Sequence, residues 1–387
     1  MVGAPFTPDP DASVRRPRYI TRLEKLTQIP PDERERLTPV VQRYAMRLND
    51  YYLSLIDWTN PDDPIRRIVI PQVEELEPWG DLDASHEADY TVAPGTQHKY
   101  SHTALLLCNE TCAGYCRYCF RKRLFMNDQH EARTDVRPGL RYIAEHPEIT
   151  NVLLTGGDPL LLSTRRLREI IAALRDIPHV QIVRIGSKIP AFDPGRILND
   201  PELLTVLSTF STPEKRIYLM THFDHPRELT TSAIRAIDAL LRNGVICANQ
   251  CPLIRGVNDD SNVLATLFRR LSWIGCPPYY LFQGRPTAGN APYRVPLVEA
   301  WEIFRATVRQ GSGLAQRARF VMSHHTGKIE VVGVDEQRIY MRYHRAVRLA
   351  DRGRFLIYLR NDNAYWLDEL TPVGNHGALP AGDGAGG

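Results

Sequence analysis

Three cysteines lie close together in the sequence, at Cys112, Cys116 and Cys119. Three thiolates at this spacing can hold a metal centre, although zinc sites and ordinary iron–sulfur clusters take four protein ligands. The nearest further cysteine, Cys108, lies inside a short apolar run that is typical of a buried strand. Three ligands on a four-iron cluster leave one iron open, and an open coordination position indicates catalysis rather than a structural role.

The remaining cysteines fit an ordinary structural role. They sit in or beside apolar segments, where cysteine commonly acts as a small buried hydrophobic residue; they are Cys108, Cys247, Cys251 and Cys276. The triplet fits that role poorly, and its spacing lacks the second Cys-x2-Cys pair of common zinc sites. An iron–sulfur sensor or a zinc-stabilised interaction module would explain the triplet, but not the polar residues that follow the other predicted strands.

The composition is that of an ordinary globular protein, and it excludes several classes of function. Of the 387 residues, 43% are hydrophobic and 24% are charged, and the net charge is +3. This charge is too small to indicate nucleic acid or an anionic membrane as a partner. No apolar run approaches the roughly 18 residues that span a bilayer. Because neither a signal peptide nor a disulfide framework is evident, the sequence predicts a cytoplasmic protein with reduced thiols.

Predicted strands and amphipathic helices alternate from about residue 101 onward. Such units imply parallel strands that are joined by right-handed crossovers. Six units are too few for a closed eight-stranded barrel, so the sequence predicts an α/β fold with a partial (β/α)6 TIM-like barrel. The predicted strands are Ala104–Cys108, Asn151–Thr155, Val180–Ile185, Arg216–Thr221, Val245–Asn249 and Tyr279–Gln283. The predicted helices include Leu167–Leu174, Leu203–Phe210, Ser232–Arg242, Ser261–Ile274 and Val298–Val308.

The predicted barrel, residues 101–312, has an extension on each side. Residues 17–100 are predicted to form a helical arm and then an irregular linker, because Asn60–Pro64 breaks the helical pattern. Residues 313–372 are predicted to contain a strand and a β-hairpin. The ends of the chain, residues 1–16 and 373–387, are rich in Pro, Gly and Ala and are predicted to be disordered.

Glycines and polar residues follow the predicted strands at their C-terminal ends. In strand order after the cysteines, these residues are Gly156-Gly157-Asp158, Gly186-Ser187, His222 and Asn249-Gln250. The chemistry of parallel α/β sheets and barrels takes place at this edge. The residues alone therefore predict one site that draws on at least five strands.

The cysteine spacing resembles the signature of radical S-adenosylmethionine (radical SAM) enzymes. More narrowly, residues 97–328 resemble the lysine 2,3-aminomutase family in six segments that occur in the right order. These segments are Cys112–Arg123, Leu153–Pro159, Ile182–Ser187, Thr221–Pro226, Asn249–Gln250 and Leu253–Asp259. The resemblance implies a partial barrel with a [4Fe–4S] cluster on Cys112, Cys116 and Cys119, and S-adenosylmethionine on the open iron.

The resemblance also implies which residues bind the cofactors. Gly156, Gly157 and Asp158 would hold the methionine amino group, and Ser187 and His222 are further cofactor-binding positions. Lys328 would form a Schiff base with pyridoxal phosphate, although Ser323–Gly327 departs from the family's mostly glycine run before that lysine. The candidates for binding the phosphate are Lys99, Asn249, Gln250 and His98, and a second basic residue of lysine aminomutases falls at Thr103.

The substrate prediction depends on two arginines. Arg121 aligns with the arginine that pairs with the substrate carboxylate, whereas Lys122 and Arg123 are predicted to be surface or loop charges. Lysine aminomutases bind the distal ammonium with two aspartates, and this chain has neither, with Arg285 close to one of the two positions. Because an arginine would repel an ammonium, Arg285 is predicted to pair with a side-chain carboxylate, as in glutamate.

The sequence therefore predicts a radical SAM, pyridoxal phosphate-dependent 2,3-aminomutase that moves the α-amino group of an amino acid to C3. The predicted substrate is an amino acid other than lysine, with an acidic or neutral side chain. Two alternatives stay open: an enzyme that supplies β-lysine for modification of elongation factor P, and a radical SAM enzyme without pyridoxal phosphate. The predicted partners are the substrate and an electron donor such as flavodoxin or ferredoxin, with a homo-oligomer compatible with the N-terminal arm.

Overall fold

The computed structural model describes residues 16–126 and 135–374. The two segments predicted to be disordered, 1–16 and 373–387, lie outside the described residues except for Arg16, Val373 and Gly374. In the part of the chain that the structure describes, no helix has both the length and the apolar character to cross a membrane.

The N-terminal arm contains short helices and strands. Pro31 starts its longest helix, and Asp32 and Glu33 lie in the first turn, where the helix dipole favours acidic residues. The elements are β1 (Tyr19–Ile20), α1 (Pro31–Arg43), β2 (Leu48–Asn49), α2 (Asp50–Leu53), α3 (Pro64–Val69), β3 (Thr91–Ala93) and β4 (Thr96–Tyr100). The segment predicted to be an irregular linker thus contains a helix and two strands.

The centre of the molecule is a run of parallel strands with helices between them. The elements are β5 (Thr103–Asn109), α4 (Arg137–Glu145), β6 (Asn151–Gly156), α5 (Thr164–Arg175), β7 (Ile182–Ser187), α6 (Ile189–Phe192), α7 (Gly195–Leu198), α8 (Pro201–Phe210), β8 (Ile217–Thr221), α9 (Thr231–Arg242), β9 (Ile246–Pro252), α10 (Ser261–Trp273), β10 (Pro278–Phe282), α11 (Leu297–Arg309) and β11 (Arg319–His324). Each strand from β5 to β11 pairs in parallel with the next. The six predicted strands are present, and β11 adds a seventh across the predicted boundary at residue 312.

The C-terminal extension continues the same sheet with antiparallel strands. It consists of β12 (Gly327–Val334), β13 (Arg338–Ala346) and β14 (Phe355–Leu359). At the other edge β4 pairs antiparallel with β5, and β3 with β4, so that one sheet runs in the order β14 to β3. The predicted fold class, a partial TIM-like barrel with an N-terminal arm and a C-terminal hairpin, is confirmed.

The two ends of this sheet meet through side chains. The Lys99 ammonium, on β4, donates a hydrogen bond of 2.7 Å to the carbonyl oxygen of His324, the last residue of β11. Arg345 Nη2, on β13, donates one of 2.9 Å to Thr103 Oγ1, the first residue of β5. These contacts bring the C-terminal strands round to the start of the parallel run.

Candidate active site

A cavity of about 340 Å³ lies at the C-terminal ends of the parallel strands. Apart from Asn249 and His98, all the site residues predicted from the sequence line it. They are Lys99, Cys112, Cys116, Cys119, Arg121, Gly156, Gly157, Asp158, Ser187, His222, Gln250, Arg285 and Lys328. The structure therefore brings together residues that are more than 200 positions apart in the chain.

The cysteine loop is held from outside the barrel by the N-terminal arm. Arg47 Nε donates a hydrogen bond of 2.9 Å to the Cys112 carbonyl oxygen. The Arg117 backbone N–H donates one of 2.8 Å to the carbonyl oxygen of Ile68, in α3. The Arg117 guanidinium forms a bidentate pair with Glu75, at 2.6 and 2.9 Å, and both side chains are buried. The arm thus fixes the backbone of the loop that carries the three thiols.

The three thiols suit a cluster with several metal ions. Burial raises the pKa of each thiol, to about 12 for Cys116, so the thiols must release protons when they bind metal ions. Among residues 16–126 and 135–374, no three His, Cys, Asp or Glu side chains converge where one metal ion could sit. In a four-iron cluster each cysteine binds a different iron, so the sulfur atoms need not converge on one point. The donor set therefore fits the predicted [4Fe–4S] cluster.

Gly156 and Gly157 are needed because the chain passes very close to the segment that leads into the cysteine loop. A Cβ on Gly156, whose φ is +106°, would lie 2.5 Å from the Asn109 carbonyl oxygen. A Cβ on Gly157 would lie 2.5 Å from the Thr111 carbonyl oxygen. The close approach also allows a backbone hydrogen bond of 2.6 Å from Gly157 to Asn109. These glycines consequently position the cysteine loop as well as line the cavity.

The side chain of Asp158 ties the end of β6 to the end of β7. Its carboxylate accepts hydrogen bonds from Ser187 Oγ at 2.9 Å and from the Lys188 backbone N–H at 2.8 Å. Burial raises the pKa of Asp158 to about 6, although these donors favour the charged form. Asp158 and Ser187 thus both line the cavity, and they are hydrogen-bonded to each other.

His222 belongs to a hydrogen-bonded network beside the cysteines. Its Nε2 lies 3.1 Å from Asp224 Oδ1 and 3.3 Å from the Tyr118 hydroxyl. The Lys188 ammonium binds the same aspartate at 2.6 Å, and also Glu228 at 2.7 Å. The charged side chains of Lys188, Asp224 and Glu228 are buried beneath His222, which is itself partly exposed in the cavity.

Asn249 does not reach the cavity, contrary to the sequence prediction. Its side-chain oxygen accepts hydrogen bonds from Thr221 Oγ1 at 2.9 Å and the Phe223 backbone N–H at 2.8 Å. Its amide nitrogen donates to the Phe223 carbonyl oxygen at 3.0 Å. Asn249 therefore joins the ends of β8 and β9, and only its neighbour Gln250 faces the cavity. His98 also points elsewhere, towards Tyr142.

Arg121 lies in the cavity, but its guanidinium is already paired. It forms a bidentate pair with Glu87, at 2.7 and 3.0 Å, and its Nη1 donates to Thr155 Oγ1 at 2.8 Å. Arg123 also binds Glu87, at 2.8 Å. Lys122 and Arg123, which were predicted to be surface or loop charges, are both buried. That prediction was wrong because Glu75 and Glu87, far away in the sequence, neutralise these cations.

Arg285 retains free hydrogen-bonding capacity. Its Nη2 donates to Ser323 Oγ at 3.3 Å, and its guanidinium stacks on the Phe120 ring at 3.7 Å. Nη1 is buried and, within the described residues, has no hydrogen-bond partner; Glu87 Oε1 lies 3.7 Å away. Burial lowers the pKa of Arg285 to about 10, a value at which the group stays cationic at neutral pH.

Lys328 faces the cavity from β12 and has no carboxylate partner among the described residues. Its ammonium lies 4.0 Å from the centre of the Tyr280 ring. Burial lowers the pKa of Lys328 well below its usual value, and Arg345 and Arg184 lower it further. A neutral lysine amine is the form that attacks a carbonyl carbon. The residue is thus suited to nucleophilic chemistry.

Comparison with known proteins identifies the family to which this chain belongs. Residues 107–267 match the Radical SAM superfamily model. A protein of Aquifex aeolicus named putative L-lysine 2,3-aminomutase is 53% identical over 92% of this chain and 96% of its own length. This chain belongs to the lysine 2,3-aminomutase family. L-lysine 2,3-aminomutase of Clostridium subterminale is 38% identical over 76% of this chain and 70% of its own.

The family contains more than one substrate specificity. Glutamate 2,3-aminomutase of Clostridioides difficile is 33% identical over 76% of this chain and 69% of its own length. Membership makes the protein a radical SAM isomerase that uses a [4Fe–4S] cluster, S-adenosylmethionine and a reductant. The cysteine loop, placed at the cavity edge and held by the arm, is the part of the chain that fits this cluster.

Several residues of the site were not predicted from the sequence. They are Glu75, Glu87, Arg184 and Arg345, two of which come from the supposed linker and one from the C-terminal hairpin. The basic run at residues 121–123 was the available signal, because a buried cationic loop requires acidic partners. The sequence could not tell which acids these are.

Proposed function

We propose that the protein is a pyridoxal phosphate-dependent 2,3-aminomutase whose substrate carries a side-chain carboxylate. The observation that supports this substrate best is the buried Nη1 of Arg285, which has no hydrogen-bond partner within the described residues. A buried unpaired donor on a cation is costly, and a carboxylate ligand would satisfy it. The distal ammonium of lysine would instead face this guanidinium across the cavity.

The residues around Lys328 fit pyridoxal phosphate. Burial lowers the pKa of Lys328 and so favours the neutral amine, the form that could bond to the cofactor's aldehyde carbon. Lys99 and Gln250 line the same cavity and can donate hydrogen bonds to a phosphate. When bound, pyridoxal phosphate supplies a conjugated ring that delocalises unpaired electron density next to the migrating nitrogen.

The chain's own residues would orient the substrate between the two cofactor sites. Arg285 would hold the side-chain carboxylate, and its position on Phe120 and Ser323 fixes the direction of its free Nη1. Arg121 would add positive charge near the α-carboxylate, with Glu87 holding its guanidinium in place. Cys112, Cys116 and Cys119 would hold the [4Fe–4S] cluster, which together with S-adenosylmethionine would supply radical chemistry at this side of the cavity.

Lysine is the second candidate substrate. The relative that is 53% identical is named a putative L-lysine 2,3-aminomutase, and Glu87 is a carboxylate of the cavity wall that could face an ammonium. Two hydrogen-bonded arginines already occupy Glu87, which leaves it little capacity for a third cation.

Turnover of glutamate, lysine and alanine by the anaerobically reconstituted enzyme tests the substrate. We expect glutamate to be the best of the three, and Arg285→Met to lower kcat/KM for glutamate by roughly a hundredfold, as when a charged hydrogen-bond partner is lost. Arg294→Met, at an exposed arginine outside the cavity, should change it little. Faster turnover of lysine than of glutamate would overturn the proposal and favour the second candidate.

Borohydride reduction followed by peptide mass analysis tests the second cofactor independently of turnover. We expect the pyridoxal phosphate mass on the peptide that contains Lys328, and none in Lys328→Ala. A fully active enzyme that never carries this mass would be a radical SAM enzyme without pyridoxal phosphate.

A further inference from the structure

Two basic side chains stand directly opposite each other on the C-terminal hairpin. Lys328 on β12 and Arg345 on β13 are partners in the antiparallel register, and both line the cavity. Side chains at such positions lie on the same face of the sheet, and like charges there destabilise the pair. Gly327 allows the close approach, because a Cβ on it would lie 2.4 Å from the Arg345 carbonyl oxygen.

Arg345 reaches from this hairpin to the other end of the sheet. Its Nη2 donates to Thr103 Oγ1 at 2.9 Å, and its guanidinium lies 4.2 Å from the centre of the Tyr100 ring. In the part of the chain that the structure describes, no carboxylate pairs with it. Thr103 and the aromatic ring hold the group in place and leave its charge uncompensated.

Arg184 adds a further basic side chain to the same part of the cavity. It extends from β7, and its Nε donates to the neutral side chain of Asn151 at 2.8 Å. Glu87, a carboxylate of the cavity wall, is occupied by Arg121 and Arg123. Cations that share a partly desolvated space without an acid are unfavourable unless an anion binds there.

We propose that Arg345 binds the phosphate group of pyridoxal phosphate while Lys328 binds its aldehyde. This assignment rests on the proposed function, and it explains why a lysine and an arginine face each other without an acid between them. A guanidinium suits the role because its planar fork can donate two parallel hydrogen bonds to phosphate oxygens. Thr103 acts as a positioning residue that aims the fork.

The affinities of the full-length protein for pyridoxal phosphate and for pyridoxal, which lacks the phosphate, test this assignment without any turnover. Arg345→Met should weaken pyridoxal phosphate binding at least about tenfold, as expected for a lost charged hydrogen bond, and change pyridoxal binding less than about twofold. Arg338→Met, at an exposed arginine on the same strand, is the matched control and should alter neither affinity. Equal weakening of both ligands, or of neither, would overturn the assignment.

Two further variants keep the test decisive. Arg345→Lys retains the charge but loses the fork, so we expect pyridoxal phosphate affinity between those of the wild type and Arg345→Met; this variant decides if Arg345→Met does not fold. Adding Thr103→Arg to Arg345→Met should recover phosphate-dependent affinity, since the two side chains are in contact. If the wild type itself fails to bind pyridoxal phosphate, the proposed function fails; if it binds and Arg345→Met binds equally well, only the role of Arg345 fails.

Discussion

Glu87 organises the charges of the cavity at the level of single residues. Burial raises its pKa, but Arg121, Arg285 and Arg123 outweigh that effect and hold the pKa well below its usual range. A carboxylate that is always charged can keep two arginines in fixed positions and leave Arg285 Nη1 available. Glu87 therefore holds in place Arg121, one of the two arginines that we propose to bind the substrate.

Replacing Glu87 by Gln should destabilise the protein. The change keeps the shape of the side chain but removes the carboxylate that pairs with the buried Arg121 and with Arg123, which costs about 3 kcal/mol in free energy of unfolding. Urea denaturation of the cofactor-free protein would measure it. Glu330→Gln is the matched control, because Glu330 pairs with Arg319 and Arg342 outside the cavity. If Glu87→Gln lowers the free energy of unfolding no more than Glu330→Gln does, this role of Glu87 is contradicted.

The sequence was informative about residues that follow strands and uninformative about their partners. The three cysteines were identified by their type and spacing, and Lys328 and Arg285 through the resemblance to the lysine 2,3-aminomutase family; all of them line the cavity. The ion pair of Arg121 with Glu87 spans 34 positions, and no local pattern indicates it. Substrate contacts inferred for a single residue are therefore incomplete until its internal partners are known.

Among the secondary-structure elements, the N-terminal arm does more than was predicted. Residues 61–100 were expected to be an irregular linker, but their acids reach the cysteine loop and the cavity, and β4 lies beside the first parallel strand. The six strands and five helices that were predicted for the barrel agree with the structure to within a few residues, because hydrophobic periodicity is a local signal; the helices α4, α6 and α7 were not predicted. Pairing of an arm with a loop depends on contacts distant in the sequence, which periodicity does not report.

The buried ion pair of Glu75 with Arg117 should affect how tightly the cysteine loop binds its cluster. Glu75 also accepts a hydrogen bond from the Tyr293 hydroxyl at 3.2 Å, so this one carboxylate connects the arm, the cysteine loop and the barrel. Glu75→Gln should lower the iron content after reconstitution and speed cluster loss to a chelator, since a broken buried ion pair loosens the loop by roughly 3 kcal/mol.

Iron analysis and the decay of visible absorbance would measure this effect. Glu299→Gln provides a control, because Glu299 pairs with Arg255 at a far more exposed position and should cost less than about 1 kcal/mol. Equal rates of cluster loss in wild type and Glu75→Gln would show that this ion pair does not stabilise the cysteine loop.

At the scale of the whole molecule, the sheet brings its two ends together around the cavity. Six strands were predicted from the alternating pattern, whereas the structure adds β11 in parallel and then three antiparallel strands. The sequence indicated a strand and hairpin there, but it could not show that their side chains meet β4 and β5. Lys99 makes one of these contacts, and its ammonium is largely buried there.

Lys99 should make global stability depend on pH. Burial, with a smaller effect from Arg285, lowers its pKa from 10.5 to about 7. Between these two values the unfolded chain binds more protons than the folded protein, so the contribution of Lys99 to the free energy of unfolding rises with pH. Below about pH 7 both states are protonated and the full penalty remains. Wild type should therefore gain stability relative to Lys99→Met as the pH rises from 7 to 9.

The comparison between variants isolates this effect, because thiols and tyrosines that titrate in the same range contribute to both proteins. Denaturant unfolding at pH 7, 8 and 9 would measure the difference in free energy of unfolding between cofactor-free wild type and Lys99→Met. We expect this difference to change by about 1 kcal/mol, which is less than the lowered pKa alone would give because Lys99 is partly exposed to the cavity. Lys25→Met, at an exposed lysine, corrects for the loss of one positive charge. If the difference in free energy of unfolding stays constant over this range, burial of Lys99 in the folded protein does not lower its pKa.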